Sequence, residues 1–209
     1  MKHQILKPLL SLSAAFIVIS ANAIDHPKAT LPLVSSERFT LVKDGKPVSI
    51  VVSLTEDKAI LRAADNLVLD FERVTGNKPS VSDVPQSACP IIIGSLDSPL
   101  VNQMVQRGKF DPSQLKGCRE KYIIETIERP LDGVDEALVI VGSDRRGAVY
   151  GIYEISEQIG VSPWYDWADA PIARQDDLSI ARGSYTAGEP AVRYRGIFLN
   201  DEAPCLTGW

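Results

Sequence analysis

The chain has 209 residues, a formal net charge of −5 and two histidines. The acidic balance argues against nucleic acid or an anionic membrane surface as a partner. His3 lies in an N-terminal signal and His26 in a Pro-flanked leader. A Ser-His-Asp or Cys-His catalytic set, or a His-rich metal site, therefore cannot be assembled from this sequence.

The N-terminus reads as a secretory signal. Lys2 and Lys7 supply the positive start, and Leu9 to Ile19 is an apolar run too short to span a bilayer. Ala21 and Ala23 are small residues at the cleavage-determining positions, so residues 1–23 are expected to be cut off after Ala23. That places the mature chain in the periplasm or outside the cell. No later stretch is long and apolar enough to cross a membrane, and no membrane partner is expected. Cys89, Cys118 and Cys205 are an odd number for an oxidising compartment. Cys89 and Cys118 either pair or serve as small buried hydrophobes, and Cys205 is left over in both cases.

Residues 24–37 form an aperiodic, Pro-containing leader. Phe39–Val42, the Asp44-Gly45 turn and Val48–Val52 predict a β-hairpin. Thr55 is expected to cap a helix over 56–75. Its Ile60, Ala64, Leu67, Phe71 and Val74 recur at three- and four-residue steps, and Gly76 stops it. Pro90–Gly94 is a short apolar strand, and 101–107 a brief helix. Tyr122–Ile127 and Ala137–Val141 are further strands, and a second long helix runs over 145–159, closed by Gly160. This order predicts an α/β domain over 38–162, α+β-like, with helices packed on a small mixed sheet.

Gly142-Ser143-Asp144-Arg145-Arg146-Gly147 joins a buried strand to a helix, a place where phosphates bind. It lacks the Gly-Lys-Ser/Thr ending of a P-loop and the spacing of a dinucleotide fingerprint. Ser143 or Asp144 as a helix cap explains it, with Gly147 and Gly151 letting the helix approach the sheet. Residues 163–190 are expected as an interdomain linker. Within it, Trp164, Tyr165 and Trp167 serve either an interdomain interface or a sugar-stacking platform.

Tyr194–Leu199 then reads as a strand running into Asn200, Asp201 and Glu202. Carboxylates just past the carboxyl end of an apolar strand mark where barrel enzymes keep their chemistry. Residues 191–209 are therefore read as the first strand of an incomplete (β/α)8 barrel, since one strand cannot close it. Adjacent side chains leaving a strand point opposite ways, so at most one of the two carboxylates faces a pocket. A plain polar turn is the alternative.

Val192 to Pro204 with Leu206–Trp209, and Gly142–Tyr153 followed by Glu157–Trp164, together resemble glycoside hydrolase family 115, the xylan α-1,2-glucuronidases. The resemblance covers roughly residues 36 to 209. It implies an N-terminal accessory domain ahead of a (β/α)8 barrel, of which only the opening strand is present. It further implies inverting removal of glucuronic or 4-O-methylglucuronic acid from glucuronoxylan or its oligosaccharides. Asp201 would be the catalytic residue, with Asn200 and Glu202 beside it binding substrate or supporting the loop. The remaining acidic residues would come from later barrel loops, so this fragment alone is expected to be inactive. A homodimer is an option for the full-length family, and no cofactor or metal is expected. The other reading is a non-catalytic carbohydrate-binding or structural accessory module.

Overall fold

The computed structural model describes residues 37–198 and 202–203. The expected signal, and the leader up to residue 36, lie outside the described residues.

Strand β1 (Arg38–Lys43) turns through Asp44 and Gly45, at φ 51° and 70°, into the two-residue strand β2 (Lys46–Pro47). The hairpin expected to reach Val52 is therefore much shorter. Val48 still donates to the Leu41 carbonyl at 2.9 Å, and then the chain leaves. Strand β3 (Ile50–Val52) enters a different sheet. The physical reason is burial on both faces. Ile50, Val51 and Val52 are all buried, as suits a parallel strand covered from both sides. Pro47 has no amide hydrogen to continue an antiparallel ladder.

Helix α1 (Lys58–Thr75) follows. Asp57, and not Thr55, caps it, its Oδ1 accepting from the Ala59 amide at 2.8 Å. The Thr55 hydroxyl is 2.8 Å from that of Ser53 instead. Ile60, Ala63, Ala64, Leu67, Phe71 and Val74 make the buried stripe, and Gly76 ends the helix at φ 80°.

The six-stranded sheet is completed by β4 (Val81–Ser82), β5 (Ile91–Ser95), β6 (Tyr122–Glu128), β7 (Glu136–Gly142) and β9 (Ser184–Tyr185). Its order is β4-β3-β5-β7-β6-β9. Strands β4, β3, β5 and β7 run parallel, while β6 and β9 are antiparallel to their neighbours. Side chains alternate between two apolar layers. Ile91, Ile93 and Ile140 pack with α1 and with helix α3 (Arg145–Gln158). Ile92, Val139 and Val141 pack on the opposite face with helix α2 (Pro99–Gln106). The fully apolar runs in β5 and β7 are thus explained by helices on both sides.

Helix α3 lies unusually close to the sheet. A Cβ on Gly142 would collide with the Ala148 amide nitrogen, and one on Gly147 with the Lys121 carbonyl oxygen. A Cβ on Gly151 would lie 2.7 Å from Ile140 Cγ2. The motif spacing had assigned Gly147 and Gly151 this role.

Residues 163–190, expected as a linker, contribute regular structure to the same body. A short helix α4 (Tyr165–Ala168) precedes strand β8 (Leu178–Ala181), which pairs antiparallel with β1 in a three-stranded sheet β2-β1-β8. Leu178 and Ile180 join the α1–α3 core layer, and β9 adds to β6. Residues 191–198, expected to begin a barrel strand, form no strand among the described residues. Ile197 is 72% and Phe198 91% exposed. Strand backbone needs a neighbour to satisfy its hydrogen bonds, and neither described sheet edge takes this segment.

Candidate functional site

Cys89 and Cys118 are free thiols, so no disulfide links them. No group of three His, Cys, Asp or Glu residues able to hold a metal exists among the described residues. Of the sequence-derived site residues, Asn200 and Asp201 lie outside the described residues. Glu202 is described and exposed. What the structure does define is how the segment leading to them is seated.

The anchor is Glu120. It follows the turn at Gly117 and holds φ 56°, a left-handed conformation uncommon for a residue with a side chain. Asp144 fixes it there. One oxygen of Asp144 accepts from the Gly147 amide at 2.8 Å, capping α3, and the other accepts from the Glu120 amide at 2.8 Å. Ser143 braces the same loop, its Oγ accepting from the Lys121 amide at 3.0 Å. The helix-start amide that a phosphate would seek is thus satisfied by the protein's own carboxylate.

The Glu120 side chain is buried between two arginines. Arg146 Nη1 from α3 lies 3.0 Å from one oxygen. Arg195 Nη2, from the segment ahead of Asp201, donates to the other oxygen. Both guanidinium groups also donate to the Tyr150 hydroxyl at 3.0 Å, and each stands 5.9 Å from that ring's centroid. Arg119 adds a second tie, donating to the Pro190 carbonyl at 2.9 Å and standing 3.5 Å from Glu189. The Arg195 hydrogen bond holds the Glu120 carboxyl below its ordinary range, and the charges of Arg146 and Arg119 pull it the same way against burial. A two-arginine clamp on one carboxylate is a rigid, directional joint.

None of Glu120, Arg146, Tyr150 and Arg195 was found from sequence. Arg195 interrupts an apolar run, and a charge there needs a partner. Nothing local says which of the 27 acidic residues provides it. Trp164, just ahead of α4, and Trp167, within it, are 59% and 47% exposed, leaving both the interface and the platform reading open to them.

Fold and contacts define an α/β domain whose buried Glu120 carboxylate holds Arg195 of the segment that follows it. Comparisons with known proteins divide the chain along the same line. The model described as glycosyl hydrolase family 67 N-terminus matches residues 37–155, more than half of the chain. The model described as glycosyl hydrolase family 115 matches residues 187–209. The chain belongs to the glycosyl hydrolase family 67 N-terminus family, and its residues 187–209 are similar to the family 115 model.

A solved structure described as a family GH115 4-O-methyl-α-glucuronidase, BtGH115A, with specificity for decorated arabinogalactans, is 29% identical. It superposes with a TM-score of 0.58 over 69% of this chain and 18% of that one. The Streptomyces plicatus β-hexosaminidase, 12% identical, and a GH20 β-N-acetylhexosaminidase from Streptomyces coelicolor A3(2), 14% identical, each reach a TM-score of only 0.46. Each of these alignments covers 77% of this chain and 25% of the hexosaminidase. No curated protein matches. This chain therefore spans under a fifth of the glucuronidase it resembles. The Glu120–Arg195 pair joins the region matched to family 67 to the region matched to family 115.

Proposed function

We propose that this chain is the N-terminal part of an exported α-glucuronidase. The whole enzyme removes glucuronic or 4-O-methylglucuronic acid from glucuronoxylan with inversion. In this reading Asp201 is the catalytic carboxylate this chain contributes, and Asn200 and Glu202 bind the sugar beside it. An inverting site needs two carboxyl groups about 6.5–9.5 Å apart, with water between one of them and the sugar. The partner carboxylate belongs to later barrel loops, so residues 24–209 alone do not turn over. The observation that carries the reading is the meeting of the two family matches across the Glu120–Arg195 ion pair.

The test compares residues 24–209 with the same residues fused to the remainder of a family 115 catalytic domain. The expected outcome is uronic acid release from glucuronoxylan by the fusion only, falling by roughly 10²–10⁴-fold on Asp201→Asn. Turnover by residues 24–209 alone would remove the dependence on later loops. Export rests on the signal reading, and N-terminal sequencing of the secreted protein should begin at Ile24. A second substrate reading is favoured by the specificity of BtGH115A for decorated arabinogalactans. Faster release by the fusion from arabinogalactan than from xylan would select it. Homodimerisation of the full-length enzyme is read from the sedimentation of the same fusion.

A further inference from the structure

A cleft of about 500 Å³ opens between α1, α3 and the turn into α4. Its volume suits a small ligand. Several of its polar groups already have partners within the domain. Asp70 pairs with Arg73 at 2.7 Å, and the Arg73 guanidinium covers the Tyr165 ring at 4.6 Å. Glu154 accepts from the Tyr122 hydroxyl at 3.0 Å and from Gln158 at 2.9 Å. Burial, reinforced by Glu154, pushes the Tyr122 phenol above its ordinary range, so it stays a donor.

Two features of the cleft wall are not absorbed by this network. Ser156 belongs to the cleft wall and is 4% exposed, and its buried hydroxyl has no hydrogen-bond partner among the described residues. Buried hydroxyls ordinarily have a partner. Tyr153 presents a ring 44% exposed, steadied by Asn66, whose amide donates to its hydroxyl at 2.7 Å. A steadied tyrosine ring beside hydroxyl and amide groups suits the apolar face and hydroxyl edge of a sugar ring.

Charge decides which sugar. Asp70, Glu154, Glu157 and Asp166 line the cleft against the single cation Arg73. An acidic wall repels a uronate and leaves neutral hydroxyls as the compatible ligand. We propose that this cleft binds neutral sugar units of the polysaccharide main chain, apart from the uronic acid that the Asp201 loop handles. The choice of ligand rests on the reading of the chain as part of a uronic-acid-removing enzyme.

The test is calorimetric titration of residues 24–209 with xylotetraose, a β-galactan tetramer, glucuronic acid and spermidine as separate probes. The expected result is binding of a neutral tetramer, weakened ~tenfold or more by Tyr153→Ala. Ser156→Ala weakens it less, and Tyr153→Phe, which keeps the ring, preserves it. Absence of neutral-sugar binding, indifference to Tyr153→Ala, or tighter binding of glucuronic acid or spermidine would each overturn the proposal. Its failure is separable from that of the enzymatic reading. A fusion that still releases uronic acid while residues 24–209 ignore both tetramers loses only the cleft. A fusion without activity loses the glucuronidase reading itself.

Discussion

Glu120 joins backbone strain, burial and charge in one residue, and its titration gives a direct handle on the Arg195 contact. Its folded-state value is depressed below the ordinary 4.5, with the Arg195 hydrogen bond as the largest downward cause. A depressed carboxyl contributes stability that is fully present above the ordinary value and is lost as the pH falls through the depressed one. Glu120→Gln removes the charge at every pH. The urea midpoints of wild type and variant should therefore differ near neutral pH and converge as the pH falls through the depressed value. A gap that persists unchanged into acid would mean that the side chain acts through packing alone. Gly147 is the other residue with a steric assignment. Gly147→Ala places a methyl group against the Lys121 carbonyl oxygen, and Lys121 belongs to the loop that carries Glu120. Overpacking of this kind costs about 1–3 kcal/mol, roughly 2–4 °C of Tm per kcal/mol at this chain length. Calorimetry showing an unchanged Tm would mean that α3 and that loop can move apart to admit the methyl group.

At the scale of elements, some pieces were legible because their signal is local. The stripe Ile60-Ala64-Leu67-Phe71-Val74 specifies α1, and Gly76 its end. The apolar runs Ile91–Ile93 and Ala137–Val141 specify buried strands. Other pieces failed for identifiable reasons. Thr55 has the residue type of a cap, yet it is Asp57, two residues on, whose carboxylate reaches the Ala59 amide, while Thr55 is engaged with Ser53. Val48–Val52 looked like the return arm of a hairpin, because sequence cannot tell a strand's partner from its propensity. Leu178–Ala181 has four residues and no punctuation of its own. It is a strand only because β1 offers it an edge 136 or more residues earlier. The Glu120–Arg195 pair spans 75 residues, and no periodicity reports on such a contact. Strand β8 supplies the test at this scale. A chain ending at Pro163 lacks Leu178 and Ile180, whose burial is worth about 3–6 kcal/mol together. Its urea midpoint should fall well below that of a chain ending at Pro190. Equal midpoints would show that β1 and the α1–α3 layer hold without a covering strand.

For the molecule as a whole, the decisive contrast is between a sealed body and an open margin. Residues 38–185 bury two apolar layers on the two faces of the six-stranded sheet, one of them shared with the three-stranded sheet. Beyond them Val192, Tyr194, Ile197 and Phe198 are 59%, 82%, 72% and 91% exposed. Four large apolar side chains within seven residues are the kind of surface that another protein segment covers. Arg195 sits among them and is the one drawn into the domain, so the segment is held at a fixed place with its apolar side chains left outward. That arrangement suits a handover point, where a folded domain presents a segment for further protein surface to cover. It also predicts a liability. With no covering partner, the exposed run should drive self-association, and light scattering at rising concentration should detect it. A chain ending at Pro190 keeps both sheets and loses the run, so it should stay monodisperse where residues 24–209 do not. Glu120→Gln should fall on the same side as the full chain or beyond it, because releasing Arg195 frees the run further. Equal scattering from all three would mean that these side chains find cover on the domain itself, and the handover picture would fail with them.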